Sequence, residues 1–178
     1  MKISEMLKSC KSTAFSFELL PPLKGNSLES LTNTIDKLKE FNPKYINITT
    51  HRSEVFYRDM GNGLFKAENI RRRPGAVAVA IQQRYGIPVV PHILCSGFTR
   101  EETEYVLLDL QFLGINNLFL LRGDKAKNEK TYKPVEGGNA HATDLEEQVN
   151  RYNEGYFING DKVNYIGEKF DYGGACYP

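Results

Sequence analysis

Glu18 stands in the apolar run FSFELLPP, residues 15–22. Two prolines close the run, and because proline has no N–H and a fixed φ, a strand there must end just beyond the charge. A carboxylate at the end of an apolar strand is costly unless it meets a partner, a ligand or an open mouth. A desolvated glutamate there can serve as a general acid near neutral pH, and the competing reading is a structural ion pair with Arg52 or Arg122. Four later runs also finish in polar groups: ITTHR (48–52), VPHILC (90–95), LLRGD (120–124) and GACYP (174–178). They bring the hydroxyls of Thr49 and Thr50 and the imidazole of His92, a hydrogen-bonding group or base. At the fourth run Arg122 offers a fork of donors, Gly123 close backbone approach and Asp124 an acceptor, unless Arg122 and Asp124 simply pair. In parallel α/β proteins the carboxyl ends of the strands share one face, so these segments converge on one site and point to an enzyme.

Other chemistries fit less well. His51, His92 and His141 show neither HxH nor HExxH spacing, so no metal is expected, and a metal-dependent barrel hydrolase is the weakest alternative. The run Arg71–Arg73 is short and lacks interleaved aromatics, so it is read as a solvated stretch before a helix, with no nucleic-acid partner. Cys10, Cys95 and Cys176 are widely spaced and odd in number, which fits reduced thiols and a cytoplasmic location. No run approaches the ~18 apolar residues of a membrane span, and the start MKISEMLKSCKS is too polar for a signal peptide. With 178 residues, 40% hydrophobic, 25% charged and a formal charge of +1, the chain reads as a single domain, 1–178.

The elements that position these groups follow from periodicity. A short amphipathic helix carries Ile3, Met6 and Leu7, and a strand over about 14–20 leads to a helix capped by Asn26 or Ser27, with Leu28, Leu31, Ile35 and Leu38 at helical spacing. After the strand 45–50, residues 54–69 read as a long loop with a GNG turn, a possible lid; Pro74 then opens a helix that Gly86 closes. The strand 89–95 precedes a helix with a Thr99–Glu102 capping box and a Gly114 stop, and the strand at 116–124 precedes a polar loop, 125–141. Thr143 is expected to cap a helix from Asp144 to about Asn153, before a fifth strand at 170–178. This alternation makes an α/β protein with a parallel sheet, either open and doubly wound or part of a barrel. The absence of GxGxxG and GxxxxGK[ST] favours the barrel.

The ordered series FSFELLPP, INITTHR, VPHILC, LLRGD, ATDL and GACYP resembles the methylenetetrahydrofolate reductase family over essentially the whole chain. The resemblance implies a (β/α)8 TIM barrel of which this chain carries about the first five strands, apparently truncated after the fifth. It implies an FAD-dependent enzyme that takes a hydride from NADH or NADPH and reduces 5,10-methylenetetrahydrofolate to 5-methyltetrahydrofolate, in one-carbon and methionine metabolism. On it, Glu18 is the acid that helps open the folate's five-membered ring, and Asp124 lies by flavin and folate, favouring the resulting cation. Thr49, His92, Arg122 and Gly123 match flavin or nicotinamide contacts, as do His141, Ala142 and Tyr177 less closely. Thr50 and His51 depart from the family pattern and inherit no role. An open strand edge also allows a non-catalytic half-barrel that self-associates, a possible homo-oligomer, or pairs with a partner chain.

Overall fold

The computed structural model describes residues 1–50, 55–69, 73–125, 129–164 and 167–176. In chain order the elements are α1 (Ile3–Ser9), β1 (Ser16–Leu19), α2 (Glu29–Leu38), β2 (Tyr45–Ile48), β3 (Val55–Asp59), β4 (Phe65–Asn69), α3 (Pro74–Tyr85), β5 (Val89–Leu94), α4 (Arg100–Phe112), β6 (Asn117–Leu121), α5 (Ala142–Asn153) and β7 (Asp171–Gly174). Five of the strands form one sheet in the order β1-β2-β5-β6-β7, with every neighbouring pair parallel. Each strand is thus placed beside its predecessor, with no reversal of direction across the sheet. Right-handed crossovers in such a series stack the helices on one face, as in a barrel wall; a doubly wound sheet requires a switch point.

Side-chain parity separates the two faces. Ile46, Ile48, Val89, Ile93, Leu118 and Leu120 point toward the helices and join Ile35, Val77, Ile81, Leu107, Leu110, Leu145 and Val149 in the main hydrophobic core. Ile35, Ile46, Ile48, Leu107 and Leu145 are fully buried, each contributing roughly 1.5–3 kcal/mol through removal from water. The alternate residues line the other face, where the register runs Glu18 beside Asn47, Asn47 beside Val90, His92 beside Phe119 and Phe119 beside Gly173. These residues and α1 enclose a cavity of about 390 Å³.

Local chemistry fixes the helix ends. Thr99 Oγ1 accepts from Glu102 N (3.1 Å) while Thr99 N donates to Glu102 Oε2 (2.9 Å), the reciprocal box expected at α4. Pro74 opens α3, and Gly86 closes it at φ +66°. Three local expectations are corrected. The N-cap of α2 is Leu28, with Ser27 Oγ accepting from Glu29 N at 3.3 Å, because the helix begins later than the Asn26–Ser27 signal. The cap of α5 is His141 rather than Thr143: the Asp144 carboxylate reaches back to accept from Ala140 N (3.0 Å) and His141 N (2.9 Å), so the helix starts at Ala142. The described part of the expected loop 54–69 is an antiparallel hairpin, β3 paired with β4, whose Gly61, Asn62 and Gly63 all lie at positive φ. Glycine at two of those positions removes most of the cost of the left-handed turn. The hairpin's tip exposes Met60 and Leu64.

At the amino-terminal end of the sheet, α1 is held by a polar latch. Ile3 N donates to Asn117 Oδ1 (2.9 Å), and Ser4 N and Ser4 Oγ donate to the two oxygens of Asp171 (both 2.8 Å). Asn117 and Asp171 are register partners at the first positions of β6 and β7, so one row of the inner face becomes the docking surface for the helix.

Candidate functional site

The carboxyl ends of β1, β2 and β5 are tied together by the threonines. Thr49 N donates to Leu19 O at 3.0 Å, with Thr49 Oγ1 at 3.4 Å from the same oxygen, and Thr50 Oγ1 donates to His92 O at 2.9 Å. Both hydroxyls therefore serve the sheet directly. Strand β5 carries His92 inward, where it is only 6% exposed and its ring lies 4.9 Å from that of Phe119. Its Nε2 is 3.9 Å from Glu18 Oε2, and the Glu18 side chain is 61% exposed toward the open face. The sequence alternatives for Glu18 are corrected here: the side chain within 4 Å of its carboxylate among the described residues is the His92 imidazole, not Arg122, while Arg52 lies outside the described residues. Glu18 is thus mostly exposed and not the desolvated carboxylate the sequence suggested, and it stands beside a buried imidazole at the open face of the sheet.

The end of β6 is built against that of β5. Cys95 N and Ser96 N donate to Leu121 O and Arg122 O, both at 3.0 Å, extending the pairing past the formal strand ends. Gly123 lies at φ +80°, and a Cβ there would come within 2.2 Å of Ser96 Oγ, so only glycine fits this approach. Arg122 Nε donates to Gly123 O (3.3 Å), and the guanidinium carbon sits 4.8 Å above the ring of Tyr132. Asp124 is exposed on the loop leaving β6, and among the described residues neither Arg122 nor Glu18 pairs with it. Cys95 Sγ donates to His141 O at 3.2 Å, bringing the start of α5, with Ala142, against the carboxyl end of β5. Burial, reinforced by the nearby Asp144 charge, pushes the Cys95 thiol up to about 11, so it is a structural donor and not a nucleophile.

The structure thus gathers Glu18, Thr49 and His92 on three neighbouring strands and sets Arg122, Gly123, His141 and Ala142 along the adjoining ends of β5 and β6. Tyr177 and His51 lie outside the described residues. Three participants escaped the sequence reading: Phe119, Ser96 and Tyr132. Phe119 was accessible by parity, since it alternates with the core residues Leu118 and Leu120. Tyr132 and Ser96 act through contacts between segments distant in sequence, for which no local pattern exists. Among the described residues, no three of His, Cys, Asp and Glu come together as a metal-ligating group. Nor, among the described residues, is any helix long and apolar enough to cross a membrane.

Sequential parallel strands with helices between them define an α/β protein consistent with part of a barrel wall, with an acid, an imidazole and a guanidinium at the carboxyl ends of its strands. The family model described as Methylenetetrahydrofolate reductase matches residues 2–178, and the chain belongs to that family. It is 28% identical over 160 residues to methylenetetrahydrofolate reductase (NADH) 1 of Arabidopsis thaliana, covering 88% of this chain and 25% of the relative. It is 30% identical over 132 residues to the 5,10-methylenetetrahydrofolate reductase of Pectobacterium carotovorum subsp. carotovorum, covering 73% and 37%. With the Salmonella typhimurium enzyme of the same name the identity is 31% over 109 residues, covering 61% and 32%. The matched segment therefore spans between a quarter and somewhat over a third of the length of these relatives.

Proposed function

We propose that residues 1–178 form one domain, the amino-terminal part of an FAD-binding barrel that reduces 5,10-methylenetetrahydrofolate to 5-methyltetrahydrofolate with NADH or NADPH. The observation that carries the reading is the Glu18–His92 pair, 3.9 Å apart at the open face of the sheet of a chain from this family. The donor set fits a flavin dinucleotide. His92 presents an imidazole beside the flat Phe119 ring, Gly173 leaves the neighbouring strand without a side chain, and Arg122 offers charged donors for a diphosphate. FAD held by His92, Arg122 and Gly123 would supply hydride transfer between the nicotinamide and the folate.

Within that reaction the chain's own residues have separate tasks. Glu18 is the general acid that passes a proton to the departing ring nitrogen as the folate's five-membered ring opens. Asp124 brings negative charge toward the resulting iminium cation. Thr49 and Thr50 hold the ends of β1, β2 and β5 in register, so that acid and imidazole keep their spacing. Cytoplasmic location is part of the same reading.

The first test is the visible spectrum of the purified chain after FAD is added and the excess removed. A retained flavin band, bleached by NADH, is expected; a colourless protein would sink the claim that these strands hold the cofactor. In the enzyme completed with the remaining barrel strands, Glu18→Gln should abolish folate reduction and spare flavin reduction by NADH. Folate turnover surviving that change would remove Glu18 from the role of acid.

A further inference from the structure

We infer that Tyr132 is a positioning residue that holds Arg122 as a pre-formed oxyanion fork at the carboxyl end of β6. Arg122 is the first residue after the strand, and its carbonyl is pinned by Ser96 N at 3.0 Å. The next residue is fixed in turn, because Gly123 at φ +80° packs directly against buried Ser96. Along the side chain, Nε is committed to Gly123 O at 3.3 Å. The guanidinium carbon then rests 4.8 Å over the Tyr132 ring, a distance at which the ring's negative face attracts the cation. Backbone, Nε and one face of the plane are each accounted for, which leaves the two terminal nitrogens as donors. Among the described residues no carboxylate neutralises them, although Asp124 is two positions away.

A long cationic side chain ordinarily loses rotamer freedom on binding, and holding it beforehand lowers that cost. The fork's geometry suits a pair of oxygens on one phosphate or carboxylate group. Its source is either the diphosphate of a dinucleotide or the carboxylate tail of a substrate, and the first of these rests on the flavin reading above. Tyr132 supplies a ring face and no ligand contact, so its hydroxyl is dispensable for this task.

The test uses the whole chain, ¹⁵N-labelled, with the Arg122 Nε–H resonance followed during titration with pyrophosphate and, separately, with glutarate. Pyrophosphate should move the resonance. Tyr132→Leu should weaken that binding about fivefold, the equivalent of roughly 1 kcal/mol of cation–π holding, whereas Tyr132→Phe should bind like the parent. Arg122→Lys, which keeps the charge and loses the fork, should also bind more weakly. Tighter binding of glutarate than of pyrophosphate would support the fork and assign it to a carboxylate. Equal affinity in the parent, Tyr132→Leu and Arg122→Lys, or no response to either anion, would overturn the inference. A flavin arm separates it from the proposed function: retention of FAD and riboflavin with equal affinity, with no response to glutarate, would refute the fork and leave flavin binding standing. Pyrophosphate binding that depends on Tyr132, in a chain that retains no flavin, would support the fork and refute the flavin reading.

Discussion

Gly123→Ala is expected to destabilise the fold far more than an exposed loop substitution should. Residue 123 lies at φ +80°, where an L side chain costs roughly 1 kcal/mol. The added Cβ would stand 2.2 Å from Ser96 Oγ, 3.1 Å from Ser96 Cβ and 3.4 Å from Leu94 Cδ1. Ser96 is fully buried and its backbone is held by the amide hydrogen bond to Arg122 O, so its Cβ cannot retreat without opening the seam. Overpacking at such a point costs roughly a further 1–3 kcal/mol. The total, about 2–4 kcal/mol, corresponds to a fall in Tm of about 5–15 °C for a domain of this size. Equilibrium denaturation at constant m measures it, and Ser96→Gly supplies the control by removing both the hydroxyl and the Cβ. Steric conflict predicts that Gly123→Ala costs only about 1 kcal/mol in the Ser96→Gly background, a coupling of roughly 1–3 kcal/mol. Additive effects, with coupling below about 0.5 kcal/mol, would refute the contact and the tight seam between β5 and β6 that follows from it.

Three further outcomes follow from the same structure. Asp171→Ala removes the acceptors for Ser4 N and Ser4 Oγ and should cost about 1–3 kcal/mol, with amide exchange of Ile3 and Ser4 accelerating well before the sheet's; unchanged exchange would argue against the latch. Asp144→Ala frees the amides of Ala140 and His141 and should cost about 0.5–2 kcal/mol in urea denaturation, while Asp144→Asn should recover part of the loss. Cys95 releases its proton only at about 11 in the folded chain against 9.0 when free. Its contribution to stability is therefore complete below pH 9 and is lost as pH rises toward 11. Cys95→Ala should flatten that part of the stability profile, and in the parent at pH 8 exposed Cys176 should alkylate well ahead of Cys95.

What the sequence disclosed, it disclosed through local rules. The five parallel strands, the Pro74 start, the Gly86 stop and the Thr99–Glu102 box depend on neighbours within a few residues, where periodicity and capping chemistry act directly. The hairpin carried a usable signal, GNG between VFYRD and LFKAEN, but the insertion interrupts a βα alternation that made a loop the simpler expectation. His141 as the cap of α5 was obscured because the side chain that satisfies the exposed amides comes from Asp144, inside the helix. Glu18 and His92 were each singled out as polar groups near strand ends, whereas their pairing was not, since the spacing of His92 to Glu18 depends on how β1, β2 and β5 align.

The same parity that identifies the core also divides the inner face into two functional levels. Asn117 and Asp171 begin their strands and spend their polar atoms on α1, while His92 lies further along β5, beside Glu18 and Phe119. In parallel barrels, polar residues at the amino ends of strands serve stability and those at the carboxyl ends serve chemistry. A change at Asp171 should therefore lower Tm while leaving the Arg122 response to pyrophosphate intact. Tyr132→Leu should do the reverse, weakening the anion with little change in Tm. If the two variants failed together, by similar amounts in both measurements, the inner face would be behaving as one cooperative unit, and the division into a latch and a site would be wrong.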